Sequence, residues 1–438
     1  MNRSSLRPST LHSLALTSLL AGAAAAQTYA IVGAPCSTPG GRFGTSTVTL
    51  DYDGDGRLDL AVGAPGEDAV FVFFGPTLST WISIEPGGAN ASFVCPSAPV
   101  GASFGQSLAA GAYDAVPGDE LFVGAPNALG GVGEVRVFGV GLSSPIAVAS
   151  GSPIAGEGMG QSVAVGDFDG DGRLDLATGA PSANLATGVC GAVTSEGRLH
   201  LFRQSFSIEH VVDNPFAGVV DACNGNFAVA LTVADADADG LVELYASAEG
   251  NPMFGVPNAG SIHLFQGPVV SGGVVATPTA FGDVAPLSCD VGSRYGKSID
   301  ARGPLFVVGS PRKDDVPACG TLDVGGAFLY TAPSYSGLLL NAVPPVFDAK
   351  LGYRALLADR VGGPDPDAVF VALGAAELRI WDSANPAAPP VLVPRPSGSA
   401  AHWAVGVCAG QLRPGGREEI VLGDPDFAAF AGRVAILL

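Results

Sequence analysis

The sequence predicts an all-β fold, a seven-bladed β-propeller built from four-stranded antiparallel blades. Three observations carry this reading. Seven starts of Phe-Gly type run from Phe43 to Trp403 at a mean spacing of 60 residues. Short, alternating apolar runs of strand length follow the starts. Beyond residue 26, no segment carries the apolar stripe of an amphipathic helix. Units of this size bury their faces only by stacking on neighbours, which makes a repeat architecture.

Residues 1–26 read as a processing signal. Arg3 and Arg7 form a positive n-region, LALTSLLAGAAAA (14–26) is the apolar run, and Ala24 and Ala26 fit a small-residue cleavage site. The expected product is secreted or cell-surface associated after cleavage near Ala26, with a single domain over 27–438. No other apolar run approaches the roughly 20 residues of a spanning helix, so no membrane span is expected. The chain has 62 Gly and 34 Pro, yet 47% of residues are hydrophobic and lie in regular runs, which indicates tight turns between buried strands. Its formal charge of −20 becomes −22 without Arg3 and Arg7. That charge argues against nucleic acid, whose phosphates would be repelled, and it suits a chain that binds cations.

The starts are Phe43-Gly44, Phe104-Gly105, Met159-Gly160, Phe227-Ala228, Tyr295-Gly296, Leu351-Gly352 and Trp403-Ala404. A first strand follows each, as in TSTVTLDYD (45–53). A second strand ends at a turn such as GAP (63–65), GAP (124–126), GAP (179–181), GSP (309–311) or GDP (423–425). A third has a near-constant form, as in GEVRVFG (133–139), GRLHLF (197–202) and GSIHLFQG (260–267). Variable segments such as STWISIEP (79–86) supply an outer fourth strand. The seventh repeat stops at Leu438, directly after its third strand, whereas QTYAIVG (27–33) precedes the first start. This predicts that 27–33 pairs with GRVAILL (432–438) and closes the ring, removing the edges an open array would leave.

Chemistry concentrates between first and second strands. In DYDGDGRLD (51–59), Asp51, Asp53 and Asp55 alternate, Gly56 allows a sharp turn, Arg57 offers its backbone carbonyl, and Asp59 closes the set. The third repeat gives Asp167, Asp169, Asp171, the carbonyl of Arg173, and Asp175; the fourth gives Asp235, Asp237, Asp239, the carbonyl of Leu241, and Glu243. Ca²⁺ takes six to eight hard oxygen ligands, and alternate carboxylates in a tight loop converge on one point. An EF-hand would need Glu at position twelve and a following helix, but Val62, Thr178 and Ala246 stand there, ahead of strands. The other four repeats lack the set. The second has Ala112, Asp114, Val116 and Glu120, the fifth is shortened to DARGP (300–304), the sixth keeps Asp359 and Asp367, and the seventh offers Gln411, Arg413 and Gly415. About three Ca²⁺ sites are expected.

The Phe-Gly start, the DxDxDG loop and the Gly-Ala-Pro turn together resemble the FG-GAP repeat of the integrin α-subunit β-propeller and its bacterial relatives. The resemblance covers essentially all of 27–438; its motifs are most specific in the first and third repeats and weakest in the fifth to seventh. It implies seven blades, Ca²⁺ in the hairpins on one face, an N-terminal strand completing the last blade, and a role in adhesion or in binding protein or glycan.

The remaining signals are plainer. Seven cysteines in an exported chain suggest disulfides, with 36–95, 190–223 and 289–319 as plausible pairs and Cys408 as a free thiol inside a strand. His200 and His263 share a third-strand position that Val72, Arg136, Leu329, Arg379 and Ala435 fill elsewhere, which reads as packing. No catalytic set is expected, and no organic cofactor. The expected function is a non-catalytic adhesion or macromolecule-binding scaffold, monomeric, with a protein or glycan partner at the cell surface or in the extracellular matrix. The alternatives are a lectin-like propeller, which Trp81, Trp381 and Trp403 fail to support by recurring at no common position, and an accessory module of an extracellular hydrolase or lyase.

Overall fold

The computed structural model describes residues 29–438 except 37–38, 91–94, 97–99, 142–143, 151–155, 186–194, 204–205, 207–208, 220–222, 283–291, 314–323, 341–348, 361–364, 400–402 and 415–416. Seven antiparallel sheets, each a blade, follow one another along the chain. Blade 1 is Ser46–Leu50, Asp59–Ala64, Ala69–Phe73 and Trp81–Glu85, with a short fifth strand, Gly88–Ala89. Blades 2 to 6 repeat the order with first strands Ser107–Gly111, Ser162–Gly166, Phe227–Ala234, Ser298–Arg302 and Leu351–Ala358. Blade 7 takes Val407–Gly410, Glu419–Asp424 and Arg433–Leu437 from the end of the chain and Tyr29–Gly33 from its beginning. The predicted closure is therefore present: Tyr29 pairs with Leu437 and Gly33 with Arg433, antiparallel. First strands touch in sequence around the ring, and the first strand of blade 1 packs on that of blade 7. Among the described residues, the two helical stretches are four-residue turns, Ala128–Gly131 and Phe427–Phe430.

Burial follows position within the blade. Every second strand, from Asp59–Ala64 to Glu419–Asp424, is buried along its whole length, because neighbouring blades cover both faces. First strands are more open, since their inner side faces a central channel. The residues that begin each repeat, Phe43, Phe104, Met159, Phe227, Tyr295, Leu351 and Trp403, are all at most 1% exposed and fill the seams between blades. Phe43 packs edge-on against Phe71 and Phe73, and Tyr295 against Phe328.

The seams explain why the two halves of the repeat signature occur together. The glycine of the Gly-Ala-Pro turn lies against the backbone of the next repeat's start. A Cβ at Gly63 would come 2.1 Å from the carbonyl oxygen of Gly105, and one at Gly423 would come 1.9 Å from that of Gly44. Beside this contact, Ser46, Ser107, Ser162 and Ser298 donate their hydroxyls to the carbonyls of Gly105, Gly160, Ala228 and Gly352 in the following blade. In blade 6, Arg354 Nε takes over the role on Val405 O, and in blade 7 the N–H of Gly406 donates to Gly44 O.

The ladders correct one reading of the sequence. Leu60 pairs with Phe73 and Leu176 with Phe202, so the residues equivalent to His200 are Phe71 in blade 1 and Phe328 in blade 5, not Val72 and Leu329. The turn before the third strand differs in length between blades, and a shift of one residue exchanges the faces of a strand. Cys36 and Cys95 form the expected disulfide. Cys223 is also disulfide-bonded; its expected partner Cys190, and the pair 289–319, lie outside the described residues. Cys408 is free and half-buried, and burial pushes its thiol up to about 12.

Candidate metal centres

The three acidic loops fold alike. In the first, Asp51 Oδ2 accepts the N–H of Gly56, Asp53 Oδ1 that of Asp55, and Asp55 Oδ1 that of Arg57. Asp167, Asp169 and Asp171 accept from Gly172, Asp171 and Arg173 in the same way, and Asp235, Asp237 and Asp239 from Gly240, Asp239 and Leu241. The aspartates hold the loop in shape through these bonds, Asp167 and Asp235 with both oxygens and Asp51 with Oδ2 alone, so the carboxylates are preorganised toward a common point.

That convergence is measurable. Ligand atoms of Asp51, Asp53 and Asp59 lie within 4.8 Å of one another, as do those of Asp167, Asp169 and Asp175, and those of Asp235, Asp237 and Asp239. Asp55, Asp171 and Glu243 do not join these groups; Asp55 and Asp171 serve the turn, and Glu243 accepts the N–H groups of Ala236 and Gly267. In the first loop Asp51 Oδ1 is buried without a hydrogen-bond partner. A buried carboxylate oxygen left unpaired is costly, and a divalent cation would satisfy it. In the second loop, Arg203 reaches from the end of a third strand and forms an ion pair with Asp169, partly offsetting the charge of that loop.

The closing carboxylate has a second role that spacing did not show. Asp59 Oδ2 accepts the N–H of Tyr52 while Oδ1 accepts that of Gly75. Across the blades, Glu120, Asp175, Glu243, Asp367 and Glu419 accept from Tyr113, Phe168, Ala236, Arg360 and Leu412, always seven residues upstream. Six of seven hairpins are thus latched by a buried carboxylate, including three whose loops lack the aspartate run. This accounts for Glu120, Asp367 and Glu419, which no metal reading explains. Burial pushes the Asp59 carboxyl up to about 6 against the N–H donors that favour its charged form, and Glu120 and Glu243 are raised for the same reason.

The third loop departs from the others at one backbone position. Ala238, at φ 61°, stands where the first two loops have Gly54 and Gly170 in the left-handed region. Ala238→Gly is expected to stabilise the chain by about 0.5–1 kcal/mol by relieving that strain. Denaturant unfolding would show it as a higher midpoint at unchanged slope; a lower midpoint would contradict it.

His200 and His263 are fully buried. His200 pairs with the buried Glu157 and stacks on Phe202. His263 contacts Ser261 and Asn251, and burial lowers its pKa to about 4.

Comparison with known proteins agrees with this architecture. The FG-GAP repeat family matches residues 43–79 and 159–202, which carry the first two acidic loops. No curated protein matches the chain in sequence. Among solved structures, virginiamycin B lyase from Staphylococcus aureus superposes with a TM-score of 0.54 at 10% identity, covering 94% of this chain and 99% of the other. A streptogramin B lyase gives 0.53 at 10% identity over 94% and 97% of the two chains. At that identity the likeness concerns the fold. The chain is thus a closed seven-bladed β-propeller in which two repeats, 43–79 and 159–202, match the FG-GAP repeat family.

Proposed function

We propose that the chain is an exported propeller whose hairpins are stapled by Ca²⁺, and that it acts as a non-catalytic scaffold binding another macromolecule, a protein or glycan outside the cell. The observation that carries the metal reading is the recurrence of one preorganised carboxylate group in three loops, with an unpartnered buried oxygen of Asp51 in the first. All-oxygen donors suit a hard cation of Ca²⁺ size and charge. The backbone carbonyls of Arg57, Arg173 and Leu241, together with Asp55, Asp171 and Glu243, would complete the ligand sets. The ion's work is structural: it neutralises carboxylates that repel one another and fixes the hairpin joining first and second strands. Export is supported by the Cys36–Cys95 disulfide, a bond that persists in oxidising compartments, and by the apolar N-terminal run. The burial of His200 and His263 supports a binding role over a catalytic one.

Thermal unfolding with and without a chelator tests this. Three saturated sites at about 100 times Kd would each add about 2.7 kcal/mol, so EDTA is expected to lower the midpoint strongly. The triple variant Asp51→Asn, Asp167→Asn, Asp235→Asn is expected to melt at the lower value with or without Ca²⁺. An EDTA-independent midpoint for the unmodified chain would refute the metal reading. A pull-down from cell surfaces, run beside a glycan array, separates a protein partner from a glycan.

A further inference from the structure

The first strands enclose a channel of about 640 Å³, a size common among small-molecule sites. Its wall is chemically uneven. Blades 1 to 3 contribute neutral groups, among them Thr45, Gln106 and Gln161, and blade 4 contributes aliphatic ones. All the charged lining residues, Lys297, Asp300, Arg302, Arg354 and Glu418, come from blades 5 to 7, whose loops lack the acidic set.

These charges are balanced at one end and not at the other. At the end of the acidic loops, Arg302 donates to Glu418 at 2.8 Å. Midway, Asp300 accepts the N–H of Leu357 at 2.8 Å. At the opposite mouth, among the described residues, one carboxylate, Glu249, serves both Lys297 and Arg294. Lys297 Nζ lies 3.3 Å from both its oxygens, and Arg294 Nη1 is 3.8 Å away. Arg354 gives Nε to Val405 O and Nη1 to Tyr353 O, and lies 5.0 Å over the Tyr353 ring. Among the described residues it has no carboxylate of its own. Burial works against the charged forms of both Lys297 and Arg354. Gln106 and Gln161 follow their repeat starts at the same place as Lys297, and their side-chain amides lack partners among the described residues.

Partly desolvated cations short of counter-charge favour an incoming anion, and the low-dielectric walls of a channel strengthen that attraction. We propose that this mouth binds a small oxyanion, a carboxylate or sulfate on a hydroxyl-bearing molecule, held by Lys297 and Arg354 with Gln106 and Gln161 meeting hydroxyls from the other side of the channel. The site lies at the opposite end of the first strands from the metal loops and does not depend on them.

The test is calorimetric titration of the Ca²⁺-loaded chain at low salt with sodium glucuronate, sodium sulfate and, as neutral control, glucose. Saturable binding of glucuronate, sulfate or both is expected, and which of them binds identifies the oxyanion. Loss of one charge-assisted contact in Lys297→Gln or Arg354→Gln is expected to weaken binding about tenfold or more. Glu249→Gln removes the competing carboxylate and is expected to strengthen binding about fivefold. The opposite signs matter: general destabilisation of the mouth would weaken binding in every variant. If Lys297→Gln or Arg354→Gln fails to fold, Glu249→Gln decides alone. The proposal is overturned if neither anion binds at about 10 mM, if glucose binds equally well, or if Glu249→Gln fails to strengthen binding.

Discussion

Gly432→Ala is expected to destabilise the chain by about 3–5 kcal/mol. Gly432 directly precedes the last third strand and forms a bridge to Phe43, the start of the first repeat, so it sits on the seam where the ring closes. Its φ is +88°, a conformation that costs an L-residue energy, and a Cβ there would lie 2.1 Å from Phe43 O and 2.7 Å from Phe43 N. The obstacle is backbone, not the far end of a flexible side chain, so relief requires the seam itself to open. Phe43 would then lose its packing on Phe71 and Phe73. Gly87→Ala makes a control, since a Cβ there meets nothing within 4 Å. Denaturant titration of both variants should separate them by several kcal/mol. If Gly432→Ala falls within about 0.5 kcal/mol of the control, the seam is softer than its geometry implies.

The same seam shows why the fold was legible. A Phe-Gly start, a Gly-Ala-Pro turn and a glycine before the third strand are each weak signals alone. They are three sides of one contact between neighbouring blades, so they recur together at one spacing, and the spacing gave the blade count. Closure could be read because a spare strand at 27–33 matched a missing one after GRVAILL. The aspartate loops were legible because alternate carboxylates on a tight turn have few other uses. The closing carboxylate was harder, because an acid that accepts a backbone N–H and one that faces a cation look the same in sequence. Only the recurrence of the Tyr113–Glu120, Arg360–Asp367 and Leu412–Glu419 contacts in loops without the aspartate run separates the two roles. The histidine register was off by one residue in blades 1 and 5, where turn length and not the apolar pattern sets the alignment. The charged channel mouth was hidden altogether. Glu249, Lys297 and Arg354 belong to three consecutive repeats, and their proximity depends on how those blades pack against one another.

Removal of 27–33 is expected to abolish the cooperative transition, or to lower stability by about 5 kcal/mol, because blade 7 would lose its outer strand. Tyr29–Gly33 makes five residue pairs with Arg433–Leu437, a strand buried along its whole length. Ala30 and Val32 pack with Phe71, Val434 and Ile436, and the Tyr29 hydroxyl donates to Pro394 O in blade 6 at 2.8 Å. Without this strand, the N–H and C=O groups along one side of Arg433–Leu437 lose their partners and an apolar edge opens to water. The Cys36–Cys95 disulfide, closing a separation of 59 residues, holds the strand against blade 1 and limits the freedom of the unfolded chain, worth about 4 kcal/mol on a chain-entropy estimate. Reduction with the strand intact should therefore lower the midpoint while preserving a single transition, whereas deletion should broaden or eliminate it. A synthetic peptide covering 27–33, added to the deletion variant, should restore part of the lost stability by occupying the same edge. Unchanged melting of the deletion variant would mean that the ring holds without its last strand, and that Tyr29–Gly33 only decorates blade 7.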